Sequence, residues 1–278
     1  MKINILILVT LFFISNLNLI HAQDLKFYGK LEPGNLIIVK GDLIKRARLD
    51  TLELKIDNDG IFCFGFDLSE RGSKILNVKF KDGKVLLKKI ELLPRKFKVQ
   101  RINNLKKDLV TAPRKLNKRI EKERQIAYEA RSPIGKIDTA FYKTGFVRPI
   151  KGGRITSVFG SQRILNGIPK NKHNGLDIAV PRGTPVYAMA AGIVRLAADN
   201  FYYPGNYILL DHGQALNSQY LHLSKMLVKT GDRVKKGEKI GEVGTTGRST
   251  GPHLHWGVQW YLRRVDPAGL LTMGFPDN

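Results

Sequence analysis

The sequence predicts a mainly β protein, in which a small all-β domain and a helical connector precede a C-terminal antiparallel β-sheet or barrel-sandwich domain. Short apolar or alternating runs, separated by turn residues, fill residues 24–99 and again residues 146–278. Residues 100–145 differ, because they are rich in charged residues and helix formers. Closely spaced glycines after residue 146 favour hairpins and leave no room for crossover helices.

Residues 1–22 have the features of an export signal. Lys2 supplies a positive charge, an apolar run covers residues 3–14, and Ala22 offers a small residue for cleavage. The run is shorter than the ~20 apolar residues of a membrane-spanning helix, and no cysteine follows it for a lipid anchor. An uncleaved anchor is the alternative, because apolar residues up to Ile20 prolong the hydrophobic segment. Ile20 also fits poorly at the third position before the cut. We expect an exported protein, periplasmic or extracellular.

The small all-β domain is predicted for residues 24–99. Its apolar or alternating runs are residues 36–39, 52–56, 61–66, 75–80 and 85–87. Their number, and the turn residues between them, indicate a sandwich. Cys63, the one cysteine of the chain, lies in the third run, so we expect a buried side chain and no disulfide within the chain.

The connector, residues 100–145, is predicted to contain one charged helix over residues 113–131. Its apolar stripe is thin and consists of Leu116, Ile120 and Ala127, so the helix can pack along one edge only. A nucleic-acid or membrane helix is the alternative, but no wide apolar face backs the basic one. A solvated connecting helix is the favoured interpretation.

The formal net charge of +23 is spread along the chain and is not confined to a tail. A diffuse basic surface adsorbs to polyanions. Outside the cytoplasm these are wall polymers and anionic lipid headgroups, so we expect association with an anionic wall or membrane surface. Nucleic acid is the less favoured partner, because the chain has an export signal and no recognisable nucleic-acid-binding motif.

His253 and His255 alternate with apolar residues between residues 252 and 260. A strand would place the apolar residues in a core and both imidazoles on the opposite face, about 7 Å apart at Cα. One imidazole can then bind a metal while the other faces a substrate. Such a pair alone only suggests a metal site.

Three more polar residues are candidates for a metal or catalytic site. His173 and Asp177 lie in a stretch where Gly175 and Pro181 favour a loop that leads into a strand. With one more imidazole they would give three ligands and leave a fourth position for water, which is typical of catalytic zinc. A turn with a locally bonded aspartate is the alternative. His222 by itself is typical of a histidine at the edge of a core.

These residues occur in motifs that follow one another in a fixed order. The motifs are His173-Asn174-Gly175-Leu176-Asp177, Asp211-His212-Gly213, Tyr220-Leu221-His222-Leu223 and Gly247-Arg248-Ser249-Thr250-Gly251-Pro252-His253-Leu254-His255. They resemble those of the lysostaphin-type, or LytM-like, zinc peptidoglycan endopeptidases. The resemblance runs from about residue 153 to residue 269 and is specific, because short motifs and long Gly-rich spacers agree together. Residues 24–145 carry no part of it.

The resemblance implies that His173, Asp177 and His255 bind Zn²⁺ and that His222 and His253 are catalytic. It implies peptidoglycan as the partner, with peptide bonds of its stem peptides or cross-links as substrate. Zinc would polarise the scissile carbonyl and activate a water molecule. How the two catalytic histidines divide the work stays open.

Two neighbours of these residues are interpreted separately. His212 is expected to support a strand or the surroundings of the site. Gly257 stands where the family often has an acidic residue, on the strand face of the paired histidines. A carboxylate that supports the metal ligands is then missing or supplied from elsewhere. We expect this to affect the properties of the metal site more than the presence of activity.

Other functions stay open from the sequence. One is a non-enzymatic member of the same fold that binds the wall or activates other wall hydrolases, although such a protein should have lost zinc ligands. The other is a basic adhesion or nucleic-acid-binding protein.

Residues 24–145 are expected to cover the catalytic groove or to dock on the wall. If they cover it, a protein beginning near Phe146 should be more active. The sequence does not determine the oligomeric state.

Overall fold

Strands are the predominant regular element of the protein, which is described by a computed structural model over residues 25–275. This confirms the mainly β fold class that the alternating runs predict. The predicted export signal, residues 1–22, lies outside the described residues. No helix within residues 25–275 is long and apolar enough to cross a membrane.

Among the described residues, seven strands precede the connector and form two sheets. They are β1 (Lys26–Tyr28), β2 (Leu36–Lys40), β3 (Ile44–Leu49), β4 (Leu52–Leu54), β5 (Ile61–Gly65), β6 (Gly72–Phe80) and β7 (Val85–Leu92). One sheet has the order β1-β2-β5 and the other the order β4-β3-β6-β7. The apolar runs did not predict β3, because charged residues interrupt its apolar positions, of which Ile44, Ala47 and Leu49 are buried.

The connector contributes one strand and short helical segments. These are β8 (Val99–Ile102), α1 (Lys107–Val110), a 3-10 turn (Arg114–Leu116) and α2 (Asn117–Glu129). α2 lies inside the predicted helix and buries Ile120. Ile126 and Ala127 pack on a small apolar cluster that includes Phe201 and Tyr207. The helix therefore packs along one edge, as its thin apolar stripe predicts.

Twelve strands and one helix follow in the described part of the chain. They are β9 (Arg154–Ser157), β10 (Gln162–Leu165), β11 (Ile168–Lys172), β12 (Gly175–Ala179), β13 (Pro185–Tyr187), β14 (Gly192–Phe201), β15 (Gly205–Asp211), β16 (Leu216–Met226), β17 (Arg233–Val234), β18 (Lys239–Val243), β19 (His253–Trp260), β20 (Arg263–Val265) and α3 (Pro267–Leu271). Ten of these strands form one sheet, with β17-β14-β15-β16-β19-β12-β9 as its main path.

One pair of strands is parallel, whereas the other strand pairs of the described residues are antiparallel. β10 pairs with β11 in the antiparallel sense but with β8 in the parallel sense, so that Gln162 lies opposite Val99. The connector thereby adds an edge strand beside β10. Alternation within a single segment carries no information on such a pairing, which joins distant parts of the chain.

The N-terminal and C-terminal strands share one hydrophobic core. The buried cluster includes Phe64 of β5 and Trp260 of β19. Gln214, in the turn after β15, donates from its side chain to the Ile61 carbonyl at 2.7 Å. Cys63 is 1% exposed, as its place in an apolar run predicts. This packing anchors one end of β19, and the opposite end carries the paired histidines.

Candidate metal centre and active site

Three neighbouring strands of the ten-stranded sheet hold the candidate site. β12, β19 and β16 lie side by side. Asp177 on β12 pairs with His255 on β19, and His255 pairs in turn with Leu221 on β16. His222 follows Leu221, and its ring centroid lies 6.3 Å from that of His255. Sheet register thus brings together residues that are far apart in sequence.

His173, in the loop before β12, completes a cluster with Asp177 and His255. Its Nε2 lies 3.0 Å from His255 Nδ1 and 3.0 Å from Asp177 Oδ1. His255 Nδ1 is 2.7 Å from the same carboxylate oxygen. All three side chains are buried, and their ligand atoms lie within 4.8 Å of one another. The three residues predicted as metal ligands are therefore adjacent in the structure.

The hydrogen bonds of His173 determine which ring nitrogen offers a lone pair to the cluster. Its Nδ1 lies 3.1 Å from the Val158 carbonyl oxygen and 3.0 Å from Ser157 Oγ. Because a carbonyl only accepts, Nδ1 carries the proton and Nε2 keeps its lone pair. Burial lowers the pKa of His173 to about 4, so the ring is neutral at neutral pH. Neutral imidazole is the form that binds a metal.

Arg163 on β10 holds the second oxygen of Asp177. Its Nη2 forms an ion pair with Oδ2 and donates to Ser157 Oγ at 3.1 Å. Burial would raise the pKa of Asp177, but the close contacts of its carboxylate with the His173 and His255 rings outweigh burial and hold this pKa well below its usual range. Two imidazoles and an ionised carboxylate are a donor set that zinc accepts, with one position left for water. The cluster therefore fits a zinc ion.

His222 and His253 lie beside this cluster, with their ring centroids 4.8 Å apart. Nδ1 of His222 donates to the Thr246 carbonyl at 2.9 Å, and Nδ1 of His253 donates to the Gly251 carbonyl at 2.8 Å. Nε2 is therefore the ring nitrogen that each residue has left for proton transfer. Burial, and then the nearby His253 and His255, lower the pKa of His222 to about 3.

The backbone at His222 departs from regular strand geometry. Its φ is 64°, in the left-handed region, and β16 shifts register against β18 between Leu223 and Lys225. Non-glycine residues adopt this conformation at a cost of about 1–3 kcal/mol, and such residues cluster at functional sites. A Cβ on Gly244 would lie 2.7 Å from the His222 carbonyl oxygen, so the irregular strand needs a glycine opposite it.

His212 lies apart from the cluster, at the end of β15. Its Nδ1 is 2.7 Å from the Ala191 carbonyl oxygen, and its Nε2 is 2.7 Å from Ser218 Oγ. The side chain is fully buried, and burial lowers its pKa to about 4. These contacts tie β15 to β16 and agree with the supporting role expected of this residue.

Two glycines face each other across β12 and β19 beside the cluster, Gly175 and Gly257. A Cβ on Gly175 would lie 2.5 Å from the Trp256 carbonyl oxygen and 2.7 Å from His255 Nε2. A Cβ on Gly257 would meet its neighbours at 3.6 Å or more. Close packing therefore requires Gly175, whereas a Cβ at Gly257 would make ordinary contacts only.

A groove with two adjoining cavities of about 300 and 530 Å³ passes the histidines. Arg163 and Arg248 line both cavities together with His222 and His255. Sequence reasoning did not single out either arginine. Arg248 lies within the last motif of the family resemblance, which was an available signal. Arg163 lies on a strand without such a motif, so only tertiary structure places it at the site.

The comparisons with known proteins agree on one family. A model of peptidase family M23 matches residues 171–267, which include all five predicted site residues. A crystal structure from Pseudomonas aeruginosa, assigned to peptidase M23, is 31% identical with a TM-score of 0.62, and the match covers 87% of this chain and 95% of that one. The chain belongs to peptidase family M23. Because the match extends beyond residues 171–267, the similarity includes the N-terminal strands.

Curated relatives match over less than half of this chain. The peptidoglycan DD-endopeptidase ShyA of Vibrio cholerae is 49% identical over 125 residues, which are 44% of this chain and 28% of that protein. The DD-carboxypeptidase/endopeptidase Mpg of Neisseria meningitidis is 38% identical over 129 residues, 46% of this chain and 30% of that protein. The chain thus spans less than a third of the length of these curated relatives.

Proposed function

We propose that this M23 protein is an exported zinc metalloendopeptidase that hydrolyses peptide bonds in the stem peptides or cross-links of peptidoglycan. The observation that carries the proposal is the convergence of His173 Nε2, Asp177 Oδ1 and His255 Nδ1, with two further histidines beside them. Relatives named as peptidoglycan endopeptidases support the choice of substrate. The intact ligand set disfavours a non-enzymatic wall-binding role.

His173, Asp177 and His255 would hold the zinc ion, and the ion would polarise the scissile carbonyl and acidify a water molecule. Arg163 forms an ion pair with Asp177 and fixes the orientation of its carboxylate. His222 and His253 donate Nδ1 to backbone carbonyls, which leaves Nε2 of each ring for proton transfer. They would accept a proton from the attacking water and pass it to the leaving amine.

The diffuse positive charge supports adsorption to an anionic wall or membrane surface, which would keep the protein near its polymeric substrate. This electrostatic attraction should weaken as salt screens it, over a Debye length of about 10 Å at 0.1 M. Periplasmic or extracellular location follows from the export signal predicted for residues 1–22 and remains part of the proposal.

Metal analysis and digestion of isolated peptidoglycan test the proposal together. Purified wild-type protein should contain about one zinc per chain, as expected for one catalytic site, and release peptide fragments that mass spectrometry identifies. His255→Ala should lose both zinc and activity, whereas Gln125→Ala, an exposed change on α2, should lose neither. Zinc-loaded wild-type protein that binds the wall but releases no fragments would instead favour the non-enzymatic role.

A further inference from the structure

The guanidinium of Arg248 lines the groove beside the histidines without an acidic partner. Arg248 borders both cavities and shares this position with His222 and His255. Among residues 25–275, the ion pairs within 4.0 Å include none formed by Arg248. The neighbouring Arg163, by contrast, is paired with Asp177.

The acidic groups near this part of the groove are already engaged. Asp177 is bound by Arg163 and by two histidines. Glu123 accepts a hydrogen bond from Arg119 Nε at 2.7 Å and from the Tyr202 backbone N–H at 2.7 Å. Neither carboxylate is therefore available to Arg248.

The position of Arg248 is fixed by its surroundings. Its backbone N–H donates to the Tyr203 carbonyl at 3.1 Å, and its guanidinium lies over the Tyr203 ring, 4.6 Å from the centroid. The preceding Gly247 packs so closely on Gly205 that a Cβ would lie 2.3 Å from the Gly205 nitrogen. Thr246, two residues before Arg248, holds His222 through its carbonyl. The cation is thus preorganised relative to the histidines.

An anion in the groove would relieve an unfavourable charge arrangement. Burial lowers the pKa of Arg248, and the nearby Arg163 lowers it further. A half-buried cation beside a second cation gains from a bound negative charge. A planar guanidinium matches a carboxylate in particular, because the two can form paired hydrogen bonds.

We propose that Arg248 is a specificity residue, whose guanidinium binds a free carboxylate that the peptide substrate carries close to the scissile bond. The inference rests on the function proposed above. A peptide can offer such a carboxylate at its C-terminus or on an acidic residue within it. Both sources present the same group to Arg248, and the test separates them.

Binding of synthetic stem pentapeptides that end in D-alanyl-D-alanine tests the inference. One pair differs in a free or amidated C-terminus, and a second pair differs in a free or amidated internal carboxylate. Affinity is measured on the zinc-loaded full chain with His253→Ala, so that the peptides stay intact. We expect amidation at one of the two places to weaken binding by at least about tenfold, the loss of one charge-assisted interaction.

Arg248→Gln in the same background should bind the free and amidated peptides with equal affinity, and Arg248→Lys should retain part of the discrimination. Arg46→Gln, which removes one charge from the N-terminal sheet at an exposed ion pair, should discriminate like the parent protein. An equal loss for all peptides in Arg248→Gln would instead assign the residue a packing role on Tyr203. No discrimination by the parent protein, or no detectable binding of the unamidated peptide, would overturn the inference.

Hydrolysis by the enzyme with His253 intact distinguishes failure of the inference from failure of the proposed function. We expect Arg248→Gln to raise KM for the peptide that carries the recognised carboxylate and to leave KM for its amidated partner unchanged. If no peptide and no peptidoglycan is cleaved while binding still discriminates, the proposed hydrolysis is wrong and carboxylate recognition stands.

Discussion

His222 and His253 differ from the metal cluster in how their ring nitrogens are used. Both direct Nδ1 at a backbone carbonyl. His173 does the same, but its Nε2, like His255 Nδ1, lies within 3.0 Å of Asp177 Oδ1. Two of the four histidines thus contact Asp177 and two lie beside them, which agrees with the proposed division into ligands and catalytic residues. Sequence spacing alone cannot make this distinction.

Replacing His222 or His253 with alanine should therefore abolish proton transfer without removing the metal. We expect activity on peptidoglycan to fall by about 10²–10⁴-fold, the usual contribution of a general acid or base. Zinc content, measured by plasma mass spectrometry, should stay at the wild-type level. A loss of zinc equal to that in His255→Ala would place the substituted histidine among the ligands.

His212 should make stability depend on pH. Its folded pKa of about 4 lies below the usual value of 6.5, so the unfolded chain binds the proton more readily. Stability is then fully present above about pH 6.5 and is lost as pH falls towards 4. At pH 5 the loss of stability amounts to about 2 kcal/mol.

Urea unfolding of metal-free protein at pH 7.5 and pH 5.0 measures this effect. In His212→Asn the free energy of unfolding should drop less on acidification than in the wild type, by about 2 kcal/mol. The buried His173 and His222 contribute to both proteins and cancel in the difference. An equal drop in both proteins would show that His212 titrates normally.

At the level of elements, the packing of β12 on β19 positions His255. A Cβ on Gly175 would collide with the Trp256 carbonyl and with His255 Nε2. Gly175→Ala should therefore weaken zinc binding and destabilise the fold by about 1–3 kcal/mol, the usual cost of overpacking. Zinc titration and thermal unfolding measure the two effects.

Gly257→Ala is the matched control, because Gly257 lies opposite Gly175 and its Cβ would make ordinary contacts only. We expect zinc affinity and stability close to those of the wild type. If both alanines behaved alike, close packing at Gly175 would not be what positions His255.

In the molecule as a whole, the connector borders the groove. Gln100, Ile102 and Leu105 line the same cavity as Asp177 and His253. Gln100 also donates to the Thr156 carbonyl at 3.3 Å through its side chain. This arrangement favours the hypothesis that residues 24–145 cover the groove over the hypothesis that they serve only to dock on the wall.

Loosening β8 should then raise activity on peptidoglycan several-fold. Gln100→Pro removes a backbone donor from the strand that pairs with β10, whereas Arg101→Ala changes an exposed side chain of the same strand. Hydrogen exchange should show faster exchange at β8 in the proline variant alone. Lower activity in a folded Gln100→Pro protein would mean that β8 helps to bind the substrate.

A protein beginning near Phe146 is a poorer test, since the C-terminal sheet packs on the N-terminal strands. A Cβ on Gly65 of β5 would lie 3.1 Å from Trp260 Cβ and 3.0 Å from Val265 Cγ1. Removal of β5 would therefore expose part of the shared core. Substitutions within β8 keep that core intact.

The sequence by itself determined the mainly β class and the burial of one face of β19. It also singled out the five site residues through their motifs. Leu254, Trp256, Val258 and Trp260 are at most 1% exposed, as their alternation with the histidines predicts. These features depend on periods of two residues and on local spacing, which can be read within one segment.

Only the tertiary structure decided which residues meet. The register that pairs Asp177 with His255, the parallel pairing of β8 with β10 and the position of Arg163 all join segments that are distant in sequence. The position of Arg248 beside the histidines is a further example. Local sequence patterns do not predict such contacts, because packing and sheet register arise from the free energy of the whole fold.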